Sequence, residues 1–168
     1  IAVHEHEGEV HAFANITDVD QERQTQGSLI ENDSRVKRAL EATNDGVWEW
    51  NVQTNEVWYS PKLLQMIGRD PSQPGKYSLW EEHIHPEDKP HVVETLIKHF
   101  ARNGRYDVVY RGDTGGGVYE WMHARGDTIF DENGLPKLMS GTLTNVQEVR
   151  ELKAELEEKV QFIKEVLD

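Results

Sequence analysis

Residues 46–61 read Gly-Val-Trp-Glu-Trp-Asn-Val-Gln-Thr-Asn-Glu-Val-Trp-Tyr-Ser-Pro, and this stretch carries the clearest fold signal in the chain. Apolar and polar residues alternate over 47–52, turn-forming residues follow at 53–55, and a second apolar run ends at Tyr59. Alternation with a period of two is typical of a half-buried strand, so the stretch predicts a β-hairpin. Ser60-Pro61 then favours a helix start, with serine as the cap and proline in the first turn.

Short helices and then three strands are predicted after this hairpin. The helices are expected at residues 62–67, at 78–85 and in a longer segment that ends at Asn103-Gly104. The apolar face of the longer helix consists of Val92, Val93, Leu96, Ile97 and Phe100. The strands are expected at 105–111, 118–130 and 137–146. Strands joined in sequence by hairpins predict an α+β domain over residues 44–147, a five-stranded antiparallel sheet with helices on one face.

Linker helices are predicted on both sides of this core, at residues 21–43 and 148–168. In the second helix, apolar residues recur at steps of 3, 4, 4, 3 and 4, which is a coiled-coil seam with one stutter. The seam consists of Val149, Leu152, Leu156, Val160, Ile163 and Leu167. A helix this short is marginal alone in water, so the stripe needs a partner. A parallel dimer is expected, and packing back onto its own domain is the alternative.

The first residues of the chain resemble its last predicted strands. Residues 1–23 follow the pattern of residues 128–149, and Ala14–Val19 aligns with Gly141–Val146. A helical, Gln- and Glu-rich run follows each copy. Residues 1–20 are therefore predicted to be the tail strands of an upstream copy of the same domain. A coincidental hairpin is the alternative.

Composition excludes several classes of partner and chemistry. The 168 residues include 18 Lys and Arg against 31 Asp and Glu, a formal net charge of -13. Such a charge repels nucleic-acid phosphates and anionic lipid, so neither is expected as a partner. The absence of cysteine excludes disulfides, thiolate zinc sites and cysteine nucleophiles. No spanning run or leader peptide is present, and a cytoplasmic location is expected.

The motifs taken together resemble the PAS family, in the form described as PAS with a PAC extension. They are Gly46–Asn51, Trp58–Pro61 with Ile67-Gly68, His85–Asp88, Tyr110-Arg111, Tyr119–Met122 and Gly141–Val146. Asn145 stands where the family usually has aspartate. The resemblance implies a five-stranded antiparallel sheet that encloses a small-molecule pocket with the helices. It also implies sensing, dimerisation and helices that lead to effector domains.

A sensory module is therefore expected, which dimerises and relays a ligand or redox signal to an effector outside this chain. A histidine kinase or a diguanylate cyclase is the expected effector, and no catalytic residues are predicted. The candidate pocket residues are Trp50, Met66, Val93, Ile97, Tyr110 and Met139. Transmission is assigned to Thr144, Asn145 and Val146, where the last strand becomes the helix. The side-chain oxygen of Asn145 is expected to cap that helix.

The cofactor is unknown from sequence, and two alternative functions stay open. A dedicated receptor for non-covalent flavin or haem is one, and a ligand-free dimerisation scaffold is the other. The aromatic residues that either stack a flat ligand or form plain core are Trp48, Trp50, Trp58, Tyr110 and Trp121. The histidines at 83, 85, 91 and 99 are interpreted as structural, and no metal site is predicted. Of these, His91 and His99 lie on the longer helix but outside its apolar stripe, which argues against haem. Glu87 and Asp88 are interpreted as helix-capping residues.

Overall fold

The computed structural model describes residues 33–168, and the chain divides into two compact units at Thr43. In the first unit, residues 33–43 are helical (α1), in agreement with that part of the predicted linker helix. The hairpin predicted at residues 1–20 and the helix predicted at 21–32 lie outside the described residues. The second unit, Asn44–Asp168, holds the predicted core and the C-terminal helix.

The second unit contains five strands and four helices. The strands are β1 (Gly46–Asn51), β2 (Glu56–Tyr59), β3 (Tyr106–Asp113), β4 (Tyr119–Phe130) and β5 (Pro136–Asn145). The helices are α2 (Pro61–Met66), α3 (Tyr77–His83), α4 (Lys89–Phe100) and α5 (Gln147–Leu167). None of the helices in the described part of the chain combines the length and the apolar character needed to cross a bilayer.

All five strands form one antiparallel sheet in the order β2-β1-β5-β4-β3. Helices α2, α3 and α4 pack over one face of this sheet, and the core lies between the two layers. The predicted α+β architecture is therefore confirmed. The period-two pattern of β3 appears directly in its burial, because Tyr106, Val108 and Tyr110 are buried while Asp107 is exposed.

Ser60 fixes the passage from the first hairpin into α2. Its hydroxyl accepts hydrogen bonds from the backbone N–H of Leu63 at 3.2 Å and of Val47 at 2.9 Å. One side chain thus caps α2 and ties it to β1, as Ser60-Pro61 predicts for the helix start. Helix α3 ends earlier than predicted, at His83, because Ile84 takes an extended conformation and bridges to Gly112 of β3.

Candidate functional site

A cavity of about 60 Å³ lies between the helices and the inner face of the sheet. Residues that line it from the sheet include Trp48, Trp50, Tyr110 and Met139, and those from the helices include Leu79 and Leu96. The lining is almost entirely apolar and aromatic, and His83 is its one ionisable side chain other than tyrosine. The space exceeds that of a single water, which needs roughly 10–15 Å³ by a comparable measure, so the core is not packed solid.

The six predicted pocket residues divide into three groups. Trp50, Tyr110 and Met139 line the cavity, and whether they contact a ligand stays a prediction. Met66 is partly buried in the surrounding core but does not line the cavity. The prediction is wrong for Val93 and Ile97, whose side chains are 37% and 62% exposed.

Helix α4 buries only part of the apolar face that was predicted for it. Val92 is fully buried, His99 is 5% exposed and Leu96 reaches the cavity. Val93 and Ile97 each follow an inward residue by one position, about 100° around the helix, and so they point outward. The aromatic set also divides, because Trp48, Trp50 and Tyr110 line the cavity and Trp121 does not. Trp58 is 54% exposed.

His83 separates the apolar cavity from a polar recess near the β3–β4 turn. Its Nδ1 lies 2.9 Å from the backbone carbonyl oxygen of Asp113, a group that only accepts, so Nδ1 carries the proton. Its Nε2 is buried and has no hydrogen-bond partner among the described residues. Burial lowers the pKa of His83 to about 4, and the ring is neutral at physiological pH.

Four tyrosines line the cavity, namely Tyr59, Tyr77, Tyr106 and Tyr110. Burial raises the pKa of Tyr59 and Tyr106 well above the ordinary value, and the pKa of Tyr110 even more clearly. The hydroxyl of Tyr59 donates to the carbonyl oxygen of Lys76 at 3.2 Å, and the Trp80 side chain hydrogen-bonds the Tyr106 hydroxyl. Burial also raises the pKa of Tyr77. All four phenols are therefore neutral, and the cavity contains no charge near neutral pH.

The arrangement does not fit haem or flavin. Pockets for ligands of such size usually measure ~300 Å³ or more, and this cavity has about 60 Å³. Both ring nitrogens of His99 are already engaged, by the carbonyl oxygen of Gly104 and the hydroxyl of Thr128. His91 is exposed. Among residues 33–168, no group of three or more His, Asp or Glu side chains is arranged to hold a metal ion.

The β5–α5 junction, Thr144–Gln147, is held against β4. The side-chain oxygen of Asn145 accepts from the backbone N–H of Gln147 at 3.0 Å, but the N-cap residue of α5 is Val146, and the helix has no side-chain cap. The N–H of Val146 donates to the carbonyl oxygen of Trp121 at 2.9 Å, and the N–H of Trp121 donates to Oε1 of Gln147 at 3.0 Å. These bonds fix the direction in which α5 leaves the sheet.

Trp121 also connects the junction to the helix layer. The guanidinium of Arg150 lies 4.3 Å from the centre of the Trp121 ring, and that of Arg111 lies 5.8 Å from it. Arg111 in turn binds Asp88 at the start of α4, through its backbone N–H at 2.8 Å, Nε at 2.9 Å and a terminal nitrogen at 2.7 Å. Asp88 is the N-cap residue of α4, in agreement with its interpretation, but its carboxylate binds Arg111 and makes no hydrogen bond to the helix N–H groups.

Helix α5 leaves its apolar stripe in solvent. None of its 21 residues is buried, and the six predicted seam residues are each between 43% and 80% exposed. The alternative that the stripe packs back onto its own core is therefore wrong for this structure. Phe162 and Val166, which the sequence analysis omitted, are also exposed, at 67% and 65%. Val166 lies two heptads after Leu152, and this spacing is the signal that identifies it.

Residues 56–143, just over half of the chain, match the family described as PAS fold. The chain belongs to this family, and its core is a PAS sensory domain. The domain of a sensory box histidine kinase/response regulator from Burkholderia thailandensis is similar at a TM-score of 0.66 and 26% identity, covering 78% of this chain and 98% of that one. The N-terminal domain of a diguanylate cyclase with PAS/PAC sensor from Marinobacter aquaeolei shares the fold, at a TM-score of 0.56 and 20% identity over 63% of this chain and 98% of that one.

Two curated proteins are similar in sequence. The sensor protein FixL of Bradyrhizobium diazoefficiens is 23% identical over 128 residues, and the match covers 76% of this chain and 25% of FixL. The probable diguanylate cyclase DgcE of Escherichia coli is 20% identical over 156 residues, and the match covers 93% of this chain and 14% of DgcE. This chain thus spans a quarter or less of either relative.

Proposed function

We propose that this chain senses a small ligand in its core and relays the signal through α5 to a histidine kinase or diguanylate cyclase domain outside these residues. The observation that carries the proposal is the combination of an unfilled internal cavity with an exposed apolar helix that starts at the sheet. The similarity to sensor proteins and to a probable cyclase supports the choice of effector. The upstream copy predicted from residues 1–20 would place the module in a tandem array.

Neighbouring residues in β3 provide the route from cavity to junction. Tyr110 points into the cavity, and the next residue, Arg111, points to the other face, where it contacts Trp121. A ligand that displaces Tyr110 therefore shifts the strand that holds Arg111. Leu143 of β5 also lines the cavity and directly precedes the junction. Ligand binding and the direction of α5 are coupled, in this proposal, through these two strands.

The dimer is formed by two copies of α5 in parallel, and its stripe offers two seam registers. Val149, Leu156 and Ile163 belong to both. One register adds Leu152 and Val166 and places Lys159 at the remaining core position. The other adds Val160 and Leu167 and places Lys153 there. Exchange between the registers is a rotation of each helix, which is a bistable element of the kind that signal relay requires.

Lys153 and Lys159 each form an ion pair with a glutamate of the same helix when they lie outside the seam. Lys153 lies 4.0 Å from a carboxylate oxygen of Glu157, and Lys159 lies 2.6 Å from one of Glu155. A lysine at a core position of a coiled coil lowers stability and selects register. The two registers are thus similarly penalised, which keeps their free energies close.

Leucine substitutions at the two lysines test the proposal. Lys159→Leu is expected to stabilise the first register and Lys153→Leu the second, so the two variants should shift effector output of the full-length protein in opposite directions. The kinase or cyclase activity of the full-length protein measures the output. Sedimentation of the 168-residue chain measures its dimerisation. Equal effects of both variants on output, or a monomeric chain at high concentration, would contradict the two-register dimer.

A further inference from the structure

Tyr110 lies on the cavity wall beside a buried acceptor that has no partner, Nε2 of His83. Tyr110 is 1% exposed. The hydroxyls of Tyr59 and Tyr106 are engaged by Lys76 and Trp80. Buried polar groups without partners are few in folded proteins, and one beside a cavity indicates a missing hydrogen-bonding group.

The unsatisfied acceptor lies next to the Tyr110 ring. The rings of His83 and Tyr110 are 5.6 Å apart in an edge-to-face arrangement. Because Nδ1 of His83 donates to Asp113, Nε2 carries a lone pair and acts only as an acceptor. One corner of an otherwise apolar space therefore holds an acceptor beside a hydroxyl that both donates and accepts.

Charge and size restrict what this corner accepts. Every titratable group on the wall is neutral near pH 7, so an ionised ligand loses its hydration and gains no counter-charge. The volume of about 60 Å³ is several times the roughly 10–15 Å³ that one water needs and is well below the ~150 Å³ of an apolar cavity that binds benzene.

We propose that the cavity binds a small neutral molecule with a short apolar body and one hydroxyl, of the chemical class of a short-chain alcohol. Its hydroxyl donates to Nε2 of His83 and accepts from the Tyr110 hydroxyl, and its carbon atoms lie among the aromatic side chains. This inference rests on the proposed sensory function and specifies the ligand class for that site.

Titration of the full 168-residue chain with matched probes tests the ligand class. The methyl resonance of Met139, which lines the cavity, reports occupancy by NMR. We expect 1-propanol to bind saturably at pH 7 with a dissociation constant in the millimolar range, and propionate and propylammonium to show no saturable shift. Tyr110→Phe should weaken 1-propanol roughly three- to tenfold, since it removes one neutral hydrogen bond.

Tyr59→Phe is the matched control, because it removes a hydroxyl from the same wall that is already bonded to Lys76. Its affinity for 1-propanol should equal that of the wild type. Equal affinity in the Tyr110→Phe variant, or equal binding of propionate, would overturn the proposed class. Binding of xenon distinguishes failure of the proposed ligand class from failure of the proposed ligand cavity. Xenon binding without 1-propanol binding removes the ligand class but leaves a ligand cavity, whereas failure of both removes the cavity and the proposed ligand sensing with it.

Discussion

Arg111 and Asp88 show how one residue pair joins three elements of the domain. Asp88 begins α4, Arg111 lies in β3, and the guanidinium also faces Trp121 of β4. Hydrogen bonds from Arg111 lower the pKa of Asp88 from 3.8 to about 2. A carboxyl with a lowered pKa stabilises the fold above its unfolded pKa and loses that contribution as the pH falls through the folded value.

Asp88→Asn is expected to lower the free energy of unfolding by about 1 kcal/mol at pH 7, a value reduced for partial solvent screening. The difference from the wild type should shrink between about pH 5 and pH 2, because the wild-type carboxyl then takes up a proton. Urea unfolding at pH 7, 4 and 3 measures it. Glu132→Gln is the control, since the Glu132 side chain is exposed and has no hydrogen bond or ion pair with the described residues. A difference independent of pH would exclude the carboxylate as its source.

Asn145 is the residue whose role in transmission is simplest to isolate. Asn145→Ala removes the hydrogen bond to the Gln147 N–H and the one to Glu120. We expect a loss of about 1 kcal/mol in core stability together with a clear change in effector output of the full-length protein. Asn133→Ala, in the β4–β5 turn, should change neither, because the Asn133 side chain makes no hydrogen bond with the described residues. Unchanged basal and stimulated output would remove Asn145 from the mechanism.

The residue contacts also show where sequence reasoning stops. Alternation predicted the strands and the inward position of Tyr110, because period two is a local property. It did not predict that Trp48 crosses two neighbouring strands at Gly126 and Gly141. A Cβ on either glycine would lie 2.6 Å from the Trp48 ring. Such fits depend on strand order, and β1 meets β5 only through a pairing that spans most of the chain.

Elements were predicted better than their contacts. Helix starts with strong local signals, such as Ser60-Pro61, were correct because the cap lies within three residues of its partner. The burial of the apolar residues of α4 was not predicted correctly. Only one side of the helix faces the sheet, so Val93 and Ile97 are exposed although they are apolar. The exposed stripe of α5 follows directly from its sequence spacing, yet its partner lies outside the single chain, so the seam stays a prediction.

Leu156→Asp combined with Ile163→Asp tests that seam, since both residues belong to either register. We expect the subunits to separate while the core keeps its thermal midpoint, because α5 buries none of its side chains in the core. Sedimentation and thermal unfolding measure the two effects. Ala154→Asp with Gln161→Asp adds the same charge to the opposite face of the helix and should leave the dimer intact. Unfolding of the core in the first variant would contradict a seam that is separate from the domain.

At the scale of the whole molecule, the boundary at Thr43 separates two compact units. The second unit contains the complete five-stranded sheet, its covering helices and the cavity. Both edge strands of the sheet, β2 and β3, belong to this unit. The sheet therefore needs no strand from residues 1–43 to complete its core. The fold therefore predicts that residues 44–168 are an independent folding unit.

A chain shortened to residues 44–168 should therefore keep the thermal midpoint of the core within about 2 °C, because no strand of the sheet is removed. Circular dichroism and thermal unfolding of the two chains make the comparison, together with the Met139 methyl resonance as a reporter of the cavity. Deletion of residues 1–20 alone should have no effect if they are strands of an upstream copy. A fall of several degrees on that smaller deletion would show that residues 1–20 pack on this domain, and the repeat would then be a coincidental hairpin. A fall only on removal of 21–43 would instead assign the linker helix a structural role in the core.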